Sequence, residues 1–300
     1  MQILNFGSLN VDYVYSVEYF VRAGETLKAN ARQVLPGGKG LNQSVALARA
    51  GANVCHAGCI GPEGAFLRGL LNENGVDTTY LRAIDGIQGH TVIQVDRKGE
   101  NCILLYGGTN RRIGDSQIDE TLSQFGAGDW LVLQNEVNNL PRIVDAAHAR
   151  GMRIVLNPSP YDDGLKAVDF GKLSWLLVNE VEACQCSGSD EPERAWDVLH
   201  ARHPGLSVLI TLGGAGSIAY NVTEEGLDTV RQQAFRADAV DTTAAGDTFT
   251  GYFICGLAEG RPLAECMRRA SMASAIAVTR MGAAVSIPNK EEVEARLAEL

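Results

Sequence analysis

One stretch of the chain, DTTAAGDTFTG at residues 241–251, sets a carboxylate in an unusual position. Asp247 follows two alanines and Gly246, and an apolar run starting at Phe249 comes directly after it. This pattern is typical of the beginning of a helix, where aspartate is a common capping residue. The simplest interpretation is that Asp247 caps a helix, and the alternative is that its carboxylate does chemistry.

A second stretch, PGGKGLNQ at residues 36–43, places Lys39 among glycines just before an apolar helical pattern. Glycines let backbone amides approach a ligand closely, and the first turn of a helix offers unpaired N–H groups. The other interpretation is a tight turn with an exposed lysine. A Walker A loop is excluded, because it requires glycine at position 33, where this chain has Gln33.

A third stretch, TLGGAGSIAY at residues 211–220, matches the dinucleotide pattern G-x-G-x-x-A from Gly214 to Ala219. The residues that follow Gly216 are typical of a strand, whereas the dinucleotide motif requires a helix there. A nicotinamide site is therefore disfavoured. A glycine turn between two strands can still cover the phosphates of a nucleotide.

Cysteine spacing does not favour a metal site. The chain has seven cysteines, and neither Cys55-x3-Cys59 nor Cys184-x-Cys186 has the C-x2-C spacing of zinc proteins. Cys55 and Cys59 lie in a strand-like segment, where cysteine is usually a small buried apolar residue. An odd number of scattered thiols is typical of a reducing compartment.

Apolar runs of strand length alternate with amphipathic segments of helix length, which predicts an α/β protein with a mostly parallel sheet flanked by helices. The predicted strands are residues 2–7, 53–58, 130–134, 152–157, 175–178 and 207–212. The predicted helices are residues 40–50, 63–74, 139–150, 192–202, 247–258, 262–280 and 290–299. Two of these helices, 40–50 and 247–258, begin within the first two stretches described above.

Two segments, 13–35 and 89–107, break this alternation. The first is rich in Val and Tyr, and the second is typical of a hairpin that turns at residues 97–100. We expect both to form a small β-sheet that projects as a lid from a single domain spanning residues 1–300. Because such a sheet exposes an apolar face and open edges, we also expect two lids to pack together in a homodimer.

Composition narrows the class of protein. A hydrophobic share of 45% with 21% charged residues is typical of a globular protein, and the net charge of −10 argues against a nucleic-acid partner. No stretch reaches the roughly 18–20 apolar residues of a membrane span. The first residues lack the features of a signal peptide, so we expect a cytoplasmic protein without a membrane partner.

Seven motifs occur in an order that is similar to a known family: GSLNVD at 7–12, GGKGLNQ at 37–43, LNPSP at 156–160, NEVE at 179–182, TLGGAGS at 211–217, DTTAAGD at 241–247 and AVTRMGAAVSIP at 277–288. Together they resemble the ribokinase-like family of sugar kinases, the phosphofructokinase-B type. The resemblance extends over residues 3 to about 288. It implies an ATP-dependent kinase that needs Mg²⁺ and that K⁺ activates.

The resemblance implies that Asp247 is the general base that takes the proton from the attacking sugar hydroxyl. It implies that the amides of Ala245, Gly246 and Asp247 form an anion hole for the transferred phosphoryl group, to which the helix dipole adds. A larger side chain at 245 or 246 would block that approach.

The remaining roles are carried over one residue at a time. Sugar contacts are implied for Asn10 and Asp12 at the end of the first strand, and for Gly38, Lys39, Asn42, Glu136 and Asp247. Nucleotide contacts are implied for Asn179, Thr211, Gly213, Gly214, Gly216, Gly246 and Ser271. Asn179 and Glu182 match a motif that positions Mg²⁺, and a monovalent-cation loop is implied at Asp241, Thr243, Ala277, Arg280, Gly282 and Ser286.

The chain also departs from the family pattern. Leu41 stands where alanine is usual, and the lid strands and the segment after NEVE are only loosely similar. Despite these departures, the resemblance indicates D-ribose, phosphorylated to the 5-phosphate, as the first candidate substrate. Deoxyribose, fructose or a nucleoside remain alternatives, the last because Tyr13, Tyr15 and Phe20 offer an apolar floor for a base. A non-catalytic sugar sensor is the alternative from another class.

Overall fold

The computed structural model describes residues 1–299 and contains a central nine-stranded sheet and a separate four-stranded sheet. The strands are β1 (Ile3–Phe6), β2 (Asn10–Ser16), β3 (Ala31–Gly37), β4 (Val54–Ile60), β5 (Leu81–Ala83), β6 (His90–Val95), β7 (Asn101–Tyr106), β8 (Trp130–Gln134), β9 (Arg153–Asn157), β10 (Trp175–Asn179), β11 (Ser207–Thr211), β12 (Ser217–Thr223) and β13 (Gly226–Gln232). The helices are α1 (Lys39–Arg49), α2 (Ala65–Glu73), α3 (Asp115–Leu122), α4 (Leu140–His148), α5 (Glu180–Ser187), α6 (Pro192–Arg202), α7 (Ala245–Ala258), α8 (Leu263–Ala277) and α9 (Lys290–Ala298).

The large sheet has the order β13-β12-β11-β10-β9-β8-β1-β4-β5. In this order, all neighbouring strands from β11 to β5 pair in parallel. At the other edge, β12 and β13 pair antiparallel. The predicted mostly parallel sheet is therefore confirmed. Each predicted strand and helix has a counterpart, with ends that differ by a few residues.

Helices cover both faces of this sheet, because neighbouring residues of each strand point to opposite faces. One face packs against α1, α2, α7, α8 and α9, through buried side chains such as Leu41 and Phe253. The other face packs against α3, α4, α5 and α6, through side chains such as Ile118 and Ile143. The carboxyl ends of the parallel strands meet along one edge, where α1, α5 and α7 begin.

The smaller sheet, which we call the lid, has the order β3-β2-β6-β7. The predicted hairpin at 89–107 is confirmed as the antiparallel pair β6 and β7. The other predicted lid segment, 13–35, begins too late, because β2 already starts at Asn10. A break at Gly7, Ser8 and Leu9 separates β1 from β2, so the chain enters the lid three residues after leaving the large sheet.

Four elements were not predicted: α3, α5, β5 and β13. Two of them, β5 and β13, are edge strands: β5 has only three residues, and five of the seven residues of β13 are exposed, so neither sequence contains a continuous apolar run. Within residues 1–299 no helix is both long enough and apolar enough to cross a membrane.

Candidate active site

Asp247 is the third residue of α7 and points toward α1. The residue is buried, with 7% of its surface exposed. One oxygen, Oδ1, accepts a hydrogen bond from Nε2 of Gln43 at 2.9 Å, and the other, Oδ2, accepts from Nδ2 of Asn42 at 3.0 Å. The helix-cap interpretation of Asp247 is therefore wrong, because α7 begins after Ala244 and has no side-chain cap.

The turn before α7 leaves two backbone amides available. Ala244 has the left-handed conformation with φ 60°, which costs a residue with a side chain about 1–2 kcal/mol. Among residues 1–299, the amides of Gly246 and Asp247 have no hydrogen-bond acceptor, whereas the amide of Ala245 donates to the carbonyl of Thr242 at 3.2 Å. The helix N-terminus therefore offers an anion two of the three predicted amides directly.

Two cavities meet beside these amides. The first, of about 230 Å³, is polar and is lined by Lys39, Asn157, Leu177, Val178, Asn179, Glu182, Leu209, Thr211, Thr242, Ala244, Gly246, Asp247 and Thr250. The second, of about 370 Å³, is mostly apolar and contains every residue predicted for the nucleotide except Asn179: Thr211, Gly213, Gly214, Gly216, Gly246 and Ser271. Thr211, Thr242 and Gly246 line both. This arrangement fits a nucleotide whose base lies in the apolar cavity and whose phosphates reach Gly246.

Lys39 lines the polar cavity, and the buried carboxylate of Glu136 lies next to the Lys39 backbone. The carboxylate of Glu136 accepts hydrogen bonds from the Ser8 hydroxyl and from the Lys39 amide, the latter at 3.0 Å. Burial raises the pKa of Glu136, although Lys39 and the Ser8 hydroxyl partly oppose this. Burial acts to lower the pKa of Lys39, but Asp247, Glu136 and Glu182 outweigh it and the pKa is raised. Lys39 is therefore a fixed positive charge that faces three carboxylates.

Asn10 and Asp12 lie on the first lid strand, so the prediction that they end β1 is wrong. Asn10 accepts from Nδ2 of Asn110 at 2.7 Å, and Asp12 accepts from the Thr91 hydroxyl at 2.6 Å. A Cβ at Gly37 would lie 1.9 Å from Oδ2 of Asp12, so only glycine leaves room for this carboxylate. Burial raises the pKa of Asp12 to about 6; the Thr91 hydrogen bond opposes the rise and the charge of Glu136 adds to it.

Asn179 and Glu182 bond to each other as a capping box at the start of α5. Oδ1 of Asn179 accepts from the Glu182 amide at 2.8 Å, and Oε2 of Glu182 accepts from the Asn179 amide at 3.1 Å. One oxygen of Glu182 has no hydrogen-bond partner within residues 1–299, and the residue lines the polar cavity. The N-x-x-E spacing therefore has a structural role that leaves one carboxylate oxygen at the site.

The predicted cation loop is held together by Asp241. Its carboxylate accepts from the amides of Thr243 and Gly282, both at 2.9 Å, and these bonds lower its pKa against the opposing effect of burial. Other members of the predicted set have local partners: the carbonyl of Ala277 accepts from the Arg280 amide at 3.1 Å, and the hydroxyl of Ser286 donates to Ala283 at 2.8 Å. The Arg280 side chain pairs with Glu292.

Comparison with known proteins adds to this geometry. The family model described as pfkB family carbohydrate kinase matches residues 2–290. The chain is 36% identical to the ribokinase of Haemophilus influenzae, over 95% of both chains. It is also similar to the solved ribokinase of Cryptococcus neoformans in complex with ADP, with a TM-score of 0.85 and 32% identity over 98% of this chain and 99% of that one.

This chain belongs to the pfkB family of carbohydrate kinases. It is a phosphotransferase that uses ATP and acts on a sugar hydroxyl. A further solved relative is the ribokinase of Arabidopsis thaliana complexed with ribose and ATP, with a TM-score of 0.83 and 27% identity over 99% of this chain and 98% of that one.

Several residues of this pfkB kinase site were not predicted. Gln43 contacts Asp247, Asn157 lines the polar cavity, and Thr91 contacts Asp12. Gln43 and Asn157 both lie within quoted motifs, beside residues that were chosen, so the motif itself was an available signal. Thr91 gave none, because only the parallel pairing of β2 with β6 brings it to Asp12.

Proposed function

We propose that this kinase transfers the γ-phosphoryl group of ATP to the 5-hydroxyl of D-ribose, with Asp247 as the general base. The observation that carries the proposal is the buried carboxylate of Asp247, held by Asn42 and Gln43 beside the free amides of Gly246 and Asp247. A base and an anion-binding helix terminus in one cavity are what phosphoryl transfer requires. The similarity to ribokinases, one of them complexed with ribose and ATP, supports ribose as the acceptor.

In this mechanism the sugar binds between the lid and α1. Asn10, Asp12, Gly38, Lys39, Asn42 and Glu136 hold its hydroxyls, and Asp247 accepts the proton of the attacking hydroxyl. The amides of Gly246 and Asp247, with Ala245 at the first position of the helix, stabilise the charge on the transferred group. Closure of the lid would exclude water from this step.

We also assign Mg²⁺ a place at Glu182. Mg²⁺ prefers oxygen ligands and usually keeps several waters while one or two carboxylates and the substrate phosphates bind it. The unpaired oxygen of Glu182 fits this role, with Asn179 acting as the cap that orients Glu182. When bound, Mg²⁺ would offset the charge of the β- and γ-phosphates.

Release of ADP with a panel of acceptors tests the substrate. D-Ribose should give the highest kcat/KM among ribose, 2-deoxyribose, fructose and nucleosides. A preference for another acceptor would replace ribose and leave the kinase assignment intact. Absence of turnover with every acceptor, although ribose binds, would support a sugar sensor instead.

Activity should rise with K⁺ and respond less to Na⁺ at equal ionic strength. Asp241 ties the Thr243 loop to Gly282 directly ahead of the free amides, so a cation bound there would fix the anion hole through the backbone. The measurement is kcat in a Tris buffer with protein dialysed free of K⁺. Activity that stays constant across K⁺ concentrations would remove the cation from the proposal.

The kcat/KM for ribose should fall about tenfold per pH unit below roughly pH 6. The pKa of Asp12 is raised to about 6, so the carboxylate gains a proton as the pH falls through that value and can no longer accept from two hydroxyls. The profile is measured at saturating ATP. Asp12→Asn should have low kcat/KM and lack this limb, whereas an unchanged limb in that variant would assign it to another group.

The lid should form a homodimer. Every residue of β7 is exposed, including Ile103 at 56% and Leu104 at 71%, and β3 and β7 leave both sheet edges open. Light scattering at micromolar concentration should give a dimer that Leu104→Asp converts to a monomer. Leu227→Asp, at a 52% exposed position on β13, is the matched control and should leave the dimer intact. A monomeric, fully active native chain would contradict this.

A cytoplasmic location and a single domain spanning residues 1–300 belong to the same proposal. All seven cysteines are free, which supports a reducing compartment.

A further inference from the structure

A row of polar side chains crosses the apolar face of the central sheet beneath α1. It consists of Asn5 on β1, His56 on β4 and Gln134 on β8, each 0% exposed. Asn5 lies directly opposite His56 in the parallel register of β1 and β4. Buried polar groups destabilise a core unless each is hydrogen-bonded, so three of them in one apolar layer require an explanation.

Hydrogen bonds connect this row to Asp247. Nε2 of Gln134 donates to Oδ1 of Asn5 at 3.0 Å and to Oε1 of Gln43 at 2.7 Å. Gln43 lies on α1, is 0% exposed, and donates from Nε2 to Oδ1 of Asp247 at 2.9 Å. The acceptor end of the Gln43 amide is thus held by Gln134, and its donor end faces the carboxylate.

The hydrogen bonds at the far end of the row fix the orientation of the Asn5 amide. Nδ2 of Asn5 donates to the hydroxyl of Ser44 at 2.8 Å, and that hydroxyl lies 2.8 Å from Nδ1 of His56. Nδ2 of Asn5 also donates to the carbonyl of Gly40 at 2.8 Å, and a carbonyl can only accept, so the orientation of the Asn5 amide is fixed. Burial lowers the pKa of His56 to about 4, so the ring at this end of the row is neutral. The oxygen of Asn5 is therefore left facing Gln134, and both hydrogens of Gln134 have acceptors.

Reversal of the Gln43 amide would be unfavourable on both sides. Its oxygen would face the carboxylate of Asp247, and its NH₂ group would face the NH₂ group of Gln134. We propose that Gln43 and Gln134 are positioning residues for phosphoryl transfer: Gln43 holds one oxygen of Asp247, and Gln134 sets the direction of the Gln43 amide. The inference rests on the proposed role of Asp247 as the base.

The test compares Gln43→Met, Gln134→Met and the double variant in single-turnover and steady-state assays with ribose. Methionine keeps the length of the side chain and removes the amide. Each single variant should lower kcat about tenfold, the effect of losing one hydrogen bond to a charged group, with KM for ribose and ATP within about twofold. In the Gln43→Met background, Gln134→Met should have no further effect on kcat, because Gln134 acts through Gln43.

Gln117→Met is the matched control. Gln117 is a glutamine on α3, 2% exposed, that donates to the carbonyl of Gly58 at 2.6 Å and has no contact with Asp247. It should lower the melting temperature as Gln134→Met does, with kcat unchanged.

Three results would overturn the inference: unchanged kcat in Gln134→Met despite a lowered melting temperature, additive effects in the double variant, or unchanged kcat in Gln43→Met. An unchanged kcat in Gln43→Met would overturn the inference even if Gln134→Met does not fold. Asp247→Asn is assayed in parallel. If Asp247→Asn is active, the proposed function fails, whereas if it is inactive and the glutamine variants are normal, only this inference fails.

Discussion

Asp247→Asn should lower kcat by about 10²–10⁴-fold, the range that general-base catalysis contributes. Asparagine has nearly the shape of aspartate but cannot take the proton of the sugar hydroxyl. Its NH₂ group would also face a donor of Asn42 or Gln43, which costs about 1–3 kcal/mol of stability. We therefore expect a modest fall in melting temperature, nearly unchanged ATP binding and a large loss of kcat.

The kcat, the melting temperature and ATP binding of Asp247→Asn are measured on the same preparation. Asp115→Asn is the matched control, because Asp115 is an exposed carboxylate in the first turn of α3. It tests the loss of a carboxylate near a helix N-terminus at a position away from the candidate active site. A kcat for Asp247→Asn within threefold of the native value would remove Asp247 from the mechanism.

Replacing ribose by 2-deoxyribose should lower kcat/KM by about 10²-fold or more. A site whose buried polar groups pair with a hydroxyl strongly rejects an analogue that lacks it, because the protein group is left unpaired. In our proposal Asp12 accepts from the 2- and 3-hydroxyls. The Thr91 hydroxyl already donates to Oδ1 of Asp12, and the absence of a side chain at Gly37 leaves room for Oδ2. A 10²-fold loss corresponds to about 3 kcal/mol.

Asp12→Ala should lower kcat/KM for ribose strongly and narrow the ratio between the two sugars, because the group that distinguishes them is gone. Steady-state kcat/KM for both sugars on both proteins measures this. Asn110→Ala is a useful comparison, since it removes a partner of Asn10 while leaving Asp12 and Thr91 in place. If Asp12→Ala keeps the full ratio, Glu136 becomes the next candidate for reading the 2-hydroxyl.

The fold was accessible from the sequence because its signals are local. Apolar runs such as 130–134 and 207–212 are strands buried on both faces, and amphipathic segments such as 139–150 cover them. Elements with weak local signals were missed. The helix α5 begins within the NEVE motif at residues 179–182, which we interpreted from the resemblance as a metal-positioning sequence, and its capping box was not recognised.

The candidate site was accessible only in part. Motif residues such as Asp247 and Asn42 were named from the resemblance, but the contact between them joins positions 205 residues apart, and no local pattern encodes it. The same applies to Gln134, which contacts Gln43 across 91 residues. These partners depend on which strands and helices become neighbours, and that is a property of the topology.

The position of β1 inside the large sheet, between β4 and β8, has a consequence for biosynthesis. This strand, at residues 3–6, pairs with β4 at 54–60 and with β8 at 130–134, and α1 meets Asp247 only when α7 has been made. At about 5–20 residues per second, the 205 residues between Asn42 and Asp247 take about 10–40 seconds to synthesise. During that time the amides of Asn42 and Gln43 have no carboxylate to bind, and one face of the growing sheet lacks α7 and α8. The nascent chain therefore keeps this apolar face of the sheet exposed until α7 and α8 are made, and the candidate active site is among the last parts of the molecule to form.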